Sequence, residues 1–460
     1  MTTPQVAVIG GGAAGLSAAL RLHELGVTPV LLEADAAVGG VIRTVRRDGW
    51  IAEAGPNTLA EPEPAVRAML DAAGLGPETV RATATNARRY LVHQGVPIAV
   101  PRSVGELVSW PVLSTAGRMR LLKEPFVRAG DPDLEESVDG FVRRRLGDEM
   151  AERVFDPLIA GTSAGDPSRL LVRYALPRML EWEQRGGSLL KGAMRSGMDA
   201  RRRSGKSRAS PKGSWSCRDG LSQLSDKLST ALGDSIRTGV QVAQVVRRTD
   251  GFEVVDAVGQ RERFDAVVCA APARALAGIA FGAPADEVLA EVAAVPHASL
   301  ATVSLGYRRE QVAHPLDGYG LLVPFRERRQ ILGTLFASSL FDGRAPDGHV
   351  LLTTFVGGTR QAELAAWAEA DLVAMVRSEL AELLGARGDH VFAVVARWPE
   401  CQPQAVAGHT ARLVAVASVE SSLPGLAFAG SWHDGLALGD VMRGGRAAVD
   451  RLAARMPWMA

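Results

Sequence analysis

The chain has 460 residues, 47% hydrophobic and 22% charged, enough to bury cores in roughly two or three globular domains. Its 52 Lys plus Arg against 51 Asp plus Glu leave a formal charge of +1, which gives no overall attraction to nucleic acid. The three cysteines, Cys217, Cys269 and Cys401, lie far apart with no CxxC pair, so neither a disulfide framework nor a zinc site is expected, and a reducing cytoplasm fits.

At the amino terminus, MTTPQ runs straight into the apolar stretch Val6 to Ile9 with no basic leader region, so a mature end without a signal peptide is expected. Residues 6 to 33 then read as one βαβ unit: a strand, a glycine turn, an amphipathic helix from about Ala13 to Leu25, a stop at Gly26, and a second strand ending at Glu33. Gly10, Gly12 and Gly15 form GxGxxG in that turn. In such a loop the first glycine permits the tight turn, the second lets a pyrophosphate approach the backbone, and the third lets helix pack on strand. The N–H groups of Ala13 and Ala14 open the helix, where the dipole favours an anion. Glu33 stands where an acid hydrogen-bonds a ribose, and it repels a 2′-phosphate, which argues against NADP.

Next, GPNTL at 55–59 marks a loop, and EPAVRAMLDAAGLG predicts a helix punctuated by Gly74 and Gly76. A strand-like stretch over 88–100 leads into mostly helical sequence to about residue 200. The stretch 195–213 is basic and poor in large apolar residues, which predicts a mobile loop that either stays solvated or attracts anionic lipid. From 215 to 275 a helix (LSQLSDKLSTAL) and the strands VQVAQVVRR, GFEVVDAV and DAVVCAAP restore an α/β pattern. Alternating apolar runs over 290–400, with one helix at about 360–384, predict a mixed antiparallel sheet. The strand LAFAG, a loop, and a helix whose N-cap reads as Asp440 finish the chain. No uninterrupted apolar run approaches the roughly 20 residues that a bilayer span needs.

Beyond Glu33, the continuation EADAAVGGVIRT carries Gly39, Gly40 and Arg43, a second glycine pair and a cation that an NAD domain does not require. This continuation resembles FAD proteins of the amine oxidase and porphyrinogen oxidase superfamily, in which the glycines pass close to the cofactor and the arginine sits near the pyrophosphate. EAGPNTL, NARRYLVHQGVPIAVP, AGTSAGDPSRL, EWEQRGGSLLKG, GYGLLVP, RWPECQPQAVAGH and GLALGDVMRGGRAA follow in the order and spacing of the oxygen-dependent protoporphyrinogen oxidase family, which the chain resembles over nearly all its length.

The resemblance implies an α/β fold in which a Rossmann-like FAD-binding domain, of the amine oxidase and p-hydroxybenzoate hydroxylase type, is interleaved with a mixed-sheet substrate domain and a helical insertion. The cofactor domain is expected at 1–85, 214–285 and 405–460, the substrate domain at 86–105 and 286–404, and a helical, membrane-facing domain at 106–213. Further cofactor contacts are implied at Gly55, Pro56, Asn57, Val242 (through its backbone), Ala271, Trp398, Gly430, Gly439, Asp440, Val441 and Met442. The last four begin a helix aimed at the flavin pyrimidine edge. For the substrate, Arg89 matches the arginine that pairs with a propionate, with Arg88 able to do the same and Tyr90 beside it. Tyr319 and Leu322 match the residues that sandwich the macrocycle, and Gly161 a backbone position facing the ring.

The implied reaction is oxidation of protoporphyrinogen IX to protoporphyrin IX: hydride passes from a meso carbon to flavin N5, O2 reoxidises the flavin to give hydrogen peroxide, and three rounds complete six electrons. The cofactor carries the chemistry, so no protein catalytic residue and no metal is expected, and His433 and Asp434 read as structural. Implied partners are the porphyrinogen, O2, a peripheral membrane surface and a ferrochelatase receiving the product; the implied location is cytoplasmic and peripheral on the cytoplasmic membrane. Coproporphyrinogen III to coproporphyrin III is the near alternative. The further alternatives are another flavin oxidase of the superfamily, disfavoured because no lysine follows Lys227 and no tyrosine follows Tyr319, or a non-catalytic flavin-binding protein. The chain departs from the family at 401–405, which lacks an aromatic, at Asp219-Gly220, and at Gly439.

Overall fold

The structure, a computed structural model, describes residues 4–82, 88–204 and 213–459. Its first sheet has five parallel strands in the order Ile236–Thr238, Thr28–Glu33, Gln5–Ile9, Ala266–Cys269, Leu426–Phe428. Val6 to Ile9 and Ala266 to Cys269 are buried throughout, as strands covered on both faces must be. Val6 and Val8 pack against the helices Ala13–Glu24, Ser222–Leu232 and Leu438–Ala453. The alternate residues Ala7 and Ile9 face the helices Ala285–Ala293 and His409–Ser422 and the antiparallel meander Val242–Arg248, Gly251–Asp256, Arg261–Phe264. Each fully buried Leu on these faces contributes about 1.5–3 kcal/mol.

A second, mixed sheet of seven strands runs in the order Phe392–Pro403, His297–Arg308, His349–Gly357, Gly333–Leu335, Gly320–Leu322, Tyr90–His93, Val96–Ala99. Gly320–Leu322 pairs in parallel with Tyr90–His93, while its other neighbour is antiparallel. One face is covered by the helix Glu369–Leu384, through Leu372, Val376, Leu380 and Leu383. The sequence predicts that helix from about 360, but extended backbone at Trp367 and Ala368 delays it to Glu369. The helix His409–Ser422 is absent from the sequence reading, because Gly408 and the small residues around it conceal its start.

Between residues 104 and 204 the chain is helical, with its own core around Val138, Phe141, Val142, Ile159 and Leu189. The basic loop expected at 195–213 is corrected in part: residues 195–204 complete the helix Leu189–Ser204, whose Leu189 is anchored in this core. Residues 205–212 lie outside the described residues. This region is stitched to the start of the helix His409–Ser422. The Tyr174 hydroxyl meets Thr410 Oγ1 at 3.0 Å, the Gly408 N–H donates to Glu135 at 2.6 Å, and the His409 ring meets Tyr174 edge-on at 4.7 Å.

His409 is only 5% exposed, and burial, with Arg412 nearby, pushes its pKa down to about 4. The unfolded chain therefore binds this proton more readily, so the contribution to stability is complete above about pH 6.5 and is lost as the pH falls towards 4. Between pH 7 and pH 5 the wild type should lose about 2 kcal/mol more than His409→Phe. Parallel denaturant titrations at the two pH values measure this, and equal losses would show that His409 is not the titrating group.

Candidate functional site

The strand Gln5–Ile9 ends in a loop that ties itself down with backbone. The Gly10 N–H donates to the Leu32 carbonyl at 2.8 Å, with Gly10 at φ 100°, a conformation open to glycine. A Cβ on Gly15 would collide with the Gly10 carbonyl oxygen, so helix and strand touch there through backbone. Gly12 is different: a Cβ would meet no atom within 4 Å. Protein packing does not demand that glycine, whereas a ligand against the backbone does.

The helix Ala13–Glu24 has no side-chain cap and no acid in its first turn, although Ala13 and Ala14 are buried. A buried helix end whose first N–H groups lack a side-chain acceptor is the environment an anion completes. Glu33 borders it, held by the Gly11 N–H at 2.5 Å and the Asp35 N–H at 2.8 Å. The Gly39 N–H donates to the Gly11 carbonyl at 2.8 Å, and a Cβ on Gly40 would sit 3.4 Å from Gly12 Cα, so the second glycine pair closes over the first. Arg43 reaches the Gly40 carbonyl and Asp35, both at 3.2 Å, in an exposed pair that leaves its guanidinium free to turn towards an anion. Val242 starts its strand just beyond Val240, whose N–H donates to the Glu33 carbonyl at 2.8 Å, which places it at the Glu33 end of the cradle.

The helix Leu438–Ala453 supplies a second bare N-terminus. Its N-cap is Ala437, with no side-chain bond, and not Asp440 as the sequence suggests. Asp440 lies within the first turn, where its carboxylate pairs with Arg443 at 3.0 Å and is not available as a cap. A Cβ on Gly439 would again meet no atom within 4 Å. Gly445 lets this helix press against the Ala14 carbonyl, and Ser17 Oγ donates to the Met442 carbonyl at 2.7 Å, next to Val441. The two bare helix ends therefore lie within about 10 Å of the crossing along their axes. The pair Gly444-Gly445 in mid-helix signals this approach in the sequence and was not read there.

Between the helices, Ala271 follows the strand Ala266–Cys269, beside Gly10, and its carbonyl accepts from Trp432 Nε1 at 3.2 Å. Asp434 accepts from the Gly430 N–H at 2.8 Å and meets His433 Nδ1 at 2.9 Å. Gly55, Pro56 and Asn57 are half-buried, with Asn57 Nδ2 donating to the Gly55 carbonyl at 3.0 Å. Trp398 Nε1 donates to the adjacent Ala54 carbonyl at 2.7 Å. Two uncapped helix starts, an ordered carboxylate and bare glycine backbone fit an FAD, whose pyrophosphate would take the first helix end and whose flavin the second.

The predicted substrate residues fall into two pairs joined by the strand Gly320–Leu322. Arg89 is exposed, with its guanidinium 4.9 Å from the centre of the Tyr319 ring. Among the described residues it has no carboxylate partner, whereas Arg88 pairs with Asp317. The Tyr319 hydroxyl meets Thr58 Oγ1 at 2.9 Å and Ser214 Oγ at 3.5 Å, which fixes the ring plane. Neither hydroxyl was singled out in the sequence. Gly161, on the helix Asp156–Ser163, faces Leu322 so closely that a Cβ there would collide with the leucine.

Tyr90 does not join them. Its ring is buried against His314 and Phe336, and its hydroxyl donates to Asp317. Burial pushes the Tyr90 hydroxyl up, while that hydrogen bond and Arg88 hold Asp317 below the usual carboxylate range.

The profile of the flavin containing amine oxidoreductase family matches residues 13–453. The mitochondrial protoporphyrinogen oxidase of Nicotiana tabacum is 32% identical over 97% of this chain and 94% of its own. The coproporphyrinogen III oxidase of Bacillus subtilis (strain 168) is 27% identical over 96% and 97%. Among solved structures, a protein from Exiguobacterium sp. 255-15, provisionally assigned as a protoporphyrinogen oxidase, superposes with a TM-score of 0.83 at 22% identity, covering 99% of each chain.

Proposed function

Because the chain belongs to the protoporphyrinogen oxidase family of flavin-containing amine oxidoreductases, we propose that it binds FAD and oxidises protoporphyrinogen IX to protoporphyrin IX with O2 as the final acceptor. The observation that carries the substrate choice is Arg89, an exposed arginine lying over Tyr319 with no carboxylate partner among the described residues. A guanidinium there meets a propionate with two parallel hydrogen bonds, while the Tyr319 ring and Leu322 offer apolar contact to a macrocycle. When bound, FAD supplies a hydride acceptor that O2 can reoxidise. Each round removes two hydrogens from the porphyrinogen and converts one O2 to one H2O2, so three rounds complete the aromatisation. The protein's part is to hold the ring, orient it and keep water out.

The second reading is coproporphyrinogen III, as in the Bacillus subtilis relative. Four carboxylates call for more cations than two, and Asp317 already occupies the Arg88 guanidinium next to Arg89, which favours the substrate with two. Anaerobic mixing of the purified yellow protein with each porphyrinogen tests the choice by the rate of flavin bleaching. Faster bleaching with protoporphyrinogen IX is expected; equal or faster bleaching with the coproporphyrinogen reverses the assignment. A flavin that neither bleaches leaves a binding protein without this chemistry.

Losing one charge-assisted contact should raise KM about tenfold in Arg89→Ala and change kcat less, because a propionate anchor contributes equally to ground and transition states. Initial rates across substrate concentration decide this, and an unchanged KM removes Arg89 from the site.

The assignment of residues 1–85, 214–285 and 405–460 to a cofactor domain and of 86–105 and 286–404 to a substrate domain is supported by the two sheets, which divide along these segments. Membrane docking by the helical region is supported by exposed Val108, Met119, Leu122 and Phe126, interspersed with Arg118, Lys123 and Arg128. Among the described residues no helix is long and apolar enough to cross a bilayer. The holoprotein should float with liposomes containing anionic lipid and the variant Leu122→Ser/Phe126→Ser should not; sedimentation of both with the protein fraction rules the surface out. Such a surface would also suit hand-over of the poorly soluble product to a ferrochelatase.

A further inference from the structure

The helix Asp156–Ser163, which carries Gly161 against Leu322, is held at both ends by residues other than these two. At its start, the buried carboxylate of Asp156 accepts from the Phe325 N–H at 2.9 Å and pairs with Arg360, whose guanidinium lies 4.3 Å from the centre of the Phe325 ring. At its end, Gln404, 2% exposed, donates through Nε2 to the carbonyls of Ser163 and Gln402, both at 3.0 Å. Gln402 in turn reaches the Thr162 carbonyl at 3.3 Å, and the Thr359 N–H donates to the Ala164 carbonyl at 2.8 Å. The amides of Gln402 and Gln404 thus take up the last carbonyls of the helix, which no further turn satisfies. These two residues belong to the segment that lacks the aromatic typical of the family.

The turn Ala151–Phe155, just before this helix, is π-helical, a wider coil than the α-helix that follows. Because Gly161 and Leu322 are in contact, a movement of the helix shifts the surface that the two residues form together.

We propose that Gln404, together with the Asp156–Arg360 pair, positions the helix Asp156–Ser163 and so sets how Gly161 is seated against Leu322, which makes these residues determinants of substrate fit. The proposal rests on the reading that a porphyrinogen lies against Gly161 and Leu322. Gln404 acts through Ser163 and is a positioning residue.

The test is a double-mutant cycle on the FAD-loaded protein with Gln404→Leu, Gly161→Ala and the pair, using protoporphyrinogen IX as substrate. FAD content and the rate at which O2 reoxidises the dithionite-reduced enzyme are measured alongside. Gln404→Leu should raise KM roughly fivefold to tenfold with kcat changed less, while FAD content and reoxidation hold. Gly161→Ala should raise KM in the wild-type background and do so at least about fivefold less when Gln404→Leu has freed the helix, because the added methyl can then be accommodated. Gln404→Glu, which keeps the side chain's shape but loses the amide donor, should behave as Gln404→Leu does. Effects on KM that simply multiply, or FAD content and reoxidation falling with kcat, overturn the positioning role. A wild type whose flavin no porphyrinogen reduces overturns the functional reading and this proposal together, whereas an active wild type with multiplying effects overturns this proposal alone.

Discussion

Gly12→Asp is expected to yield a folded protein that purifies without flavin. A Cβ at Gly12 meets no atom within 4 Å, so the substitution adds no clash and the apoprotein should unfold at no lower a denaturant concentration than wild-type apoprotein. The carboxylate would stand at the N-cap of the helix Ala13–Glu24 and accept hydrogen bonds from its uncapped first turn, which stabilises the helix and places a negative charge where a pyrophosphate must come. FAD affinity should fall at least about a hundredfold, or about 3 kcal/mol, measured by titrating apoprotein and following flavin fluorescence. Gly15→Ala should lose flavin for another reason. Its Cβ would strike the Gly10 carbonyl, so unfolding shifts along with affinity. If Gly12→Asp binds FAD within a few fold of wild type, the cofactor does not lie across this loop.

How much of this site can be read from sequence depends on how local its cause is. The glycine cradle was legible because Gly10, Gly12 and Gly15 act within a few residues of one another, and Glu33 ends the strand paired directly with theirs. Arg89 and Tyr319 were found by family resemblance, and nothing local to either predicts that they meet; the contact depends on the parallel pairing of strands more than 200 positions apart. Tyr90 illustrates the failure. Arg89 beside it is exposed, but the pleat turns Tyr90 into the core, where Asp317 from a distant loop takes its hydroxyl. The N-cap of the last helix was misplaced by three residues because Asp440 has the chemistry of a cap, and only the structure shows Arg443 claiming it. The amides that secure the helix Asp156–Ser163 come from about 240 residues later, beyond any periodicity or capping rule.

Tertiary partners also decide the role of Arg145, and replacing it with alanine should be the most destabilising single change in the helical region. Arg145 is fully buried, yet each of its guanidinium nitrogens is bonded: it pairs with Glu183, reaches Glu124 at 3.3 Å, and donates to the carbonyls of Val127 at 2.9 Å and Gly187 at 3.0 Å. Glu124 accepts in addition from the Leu189 N–H at 2.7 Å, so the cluster ties three stretches of chain together. Burial pushes Glu183 up, but Arg144 and Arg145 outweigh it and hold this carboxyl below its usual range. Removing Arg145 takes one cation from the buried Glu183 and Glu124 and opens a cavity, at a cost of about 3–5 kcal/mol. Arg145→Lys should recover only part of this, since an ammonium group does not span four acceptors. Limited proteolysis should cut the variant within residues 104–204 while flavin stays bound, because the cradle's core is built from other segments. Loss of flavin in step with cleavage would show that the helical region and the cofactor sheet unfold as one unit.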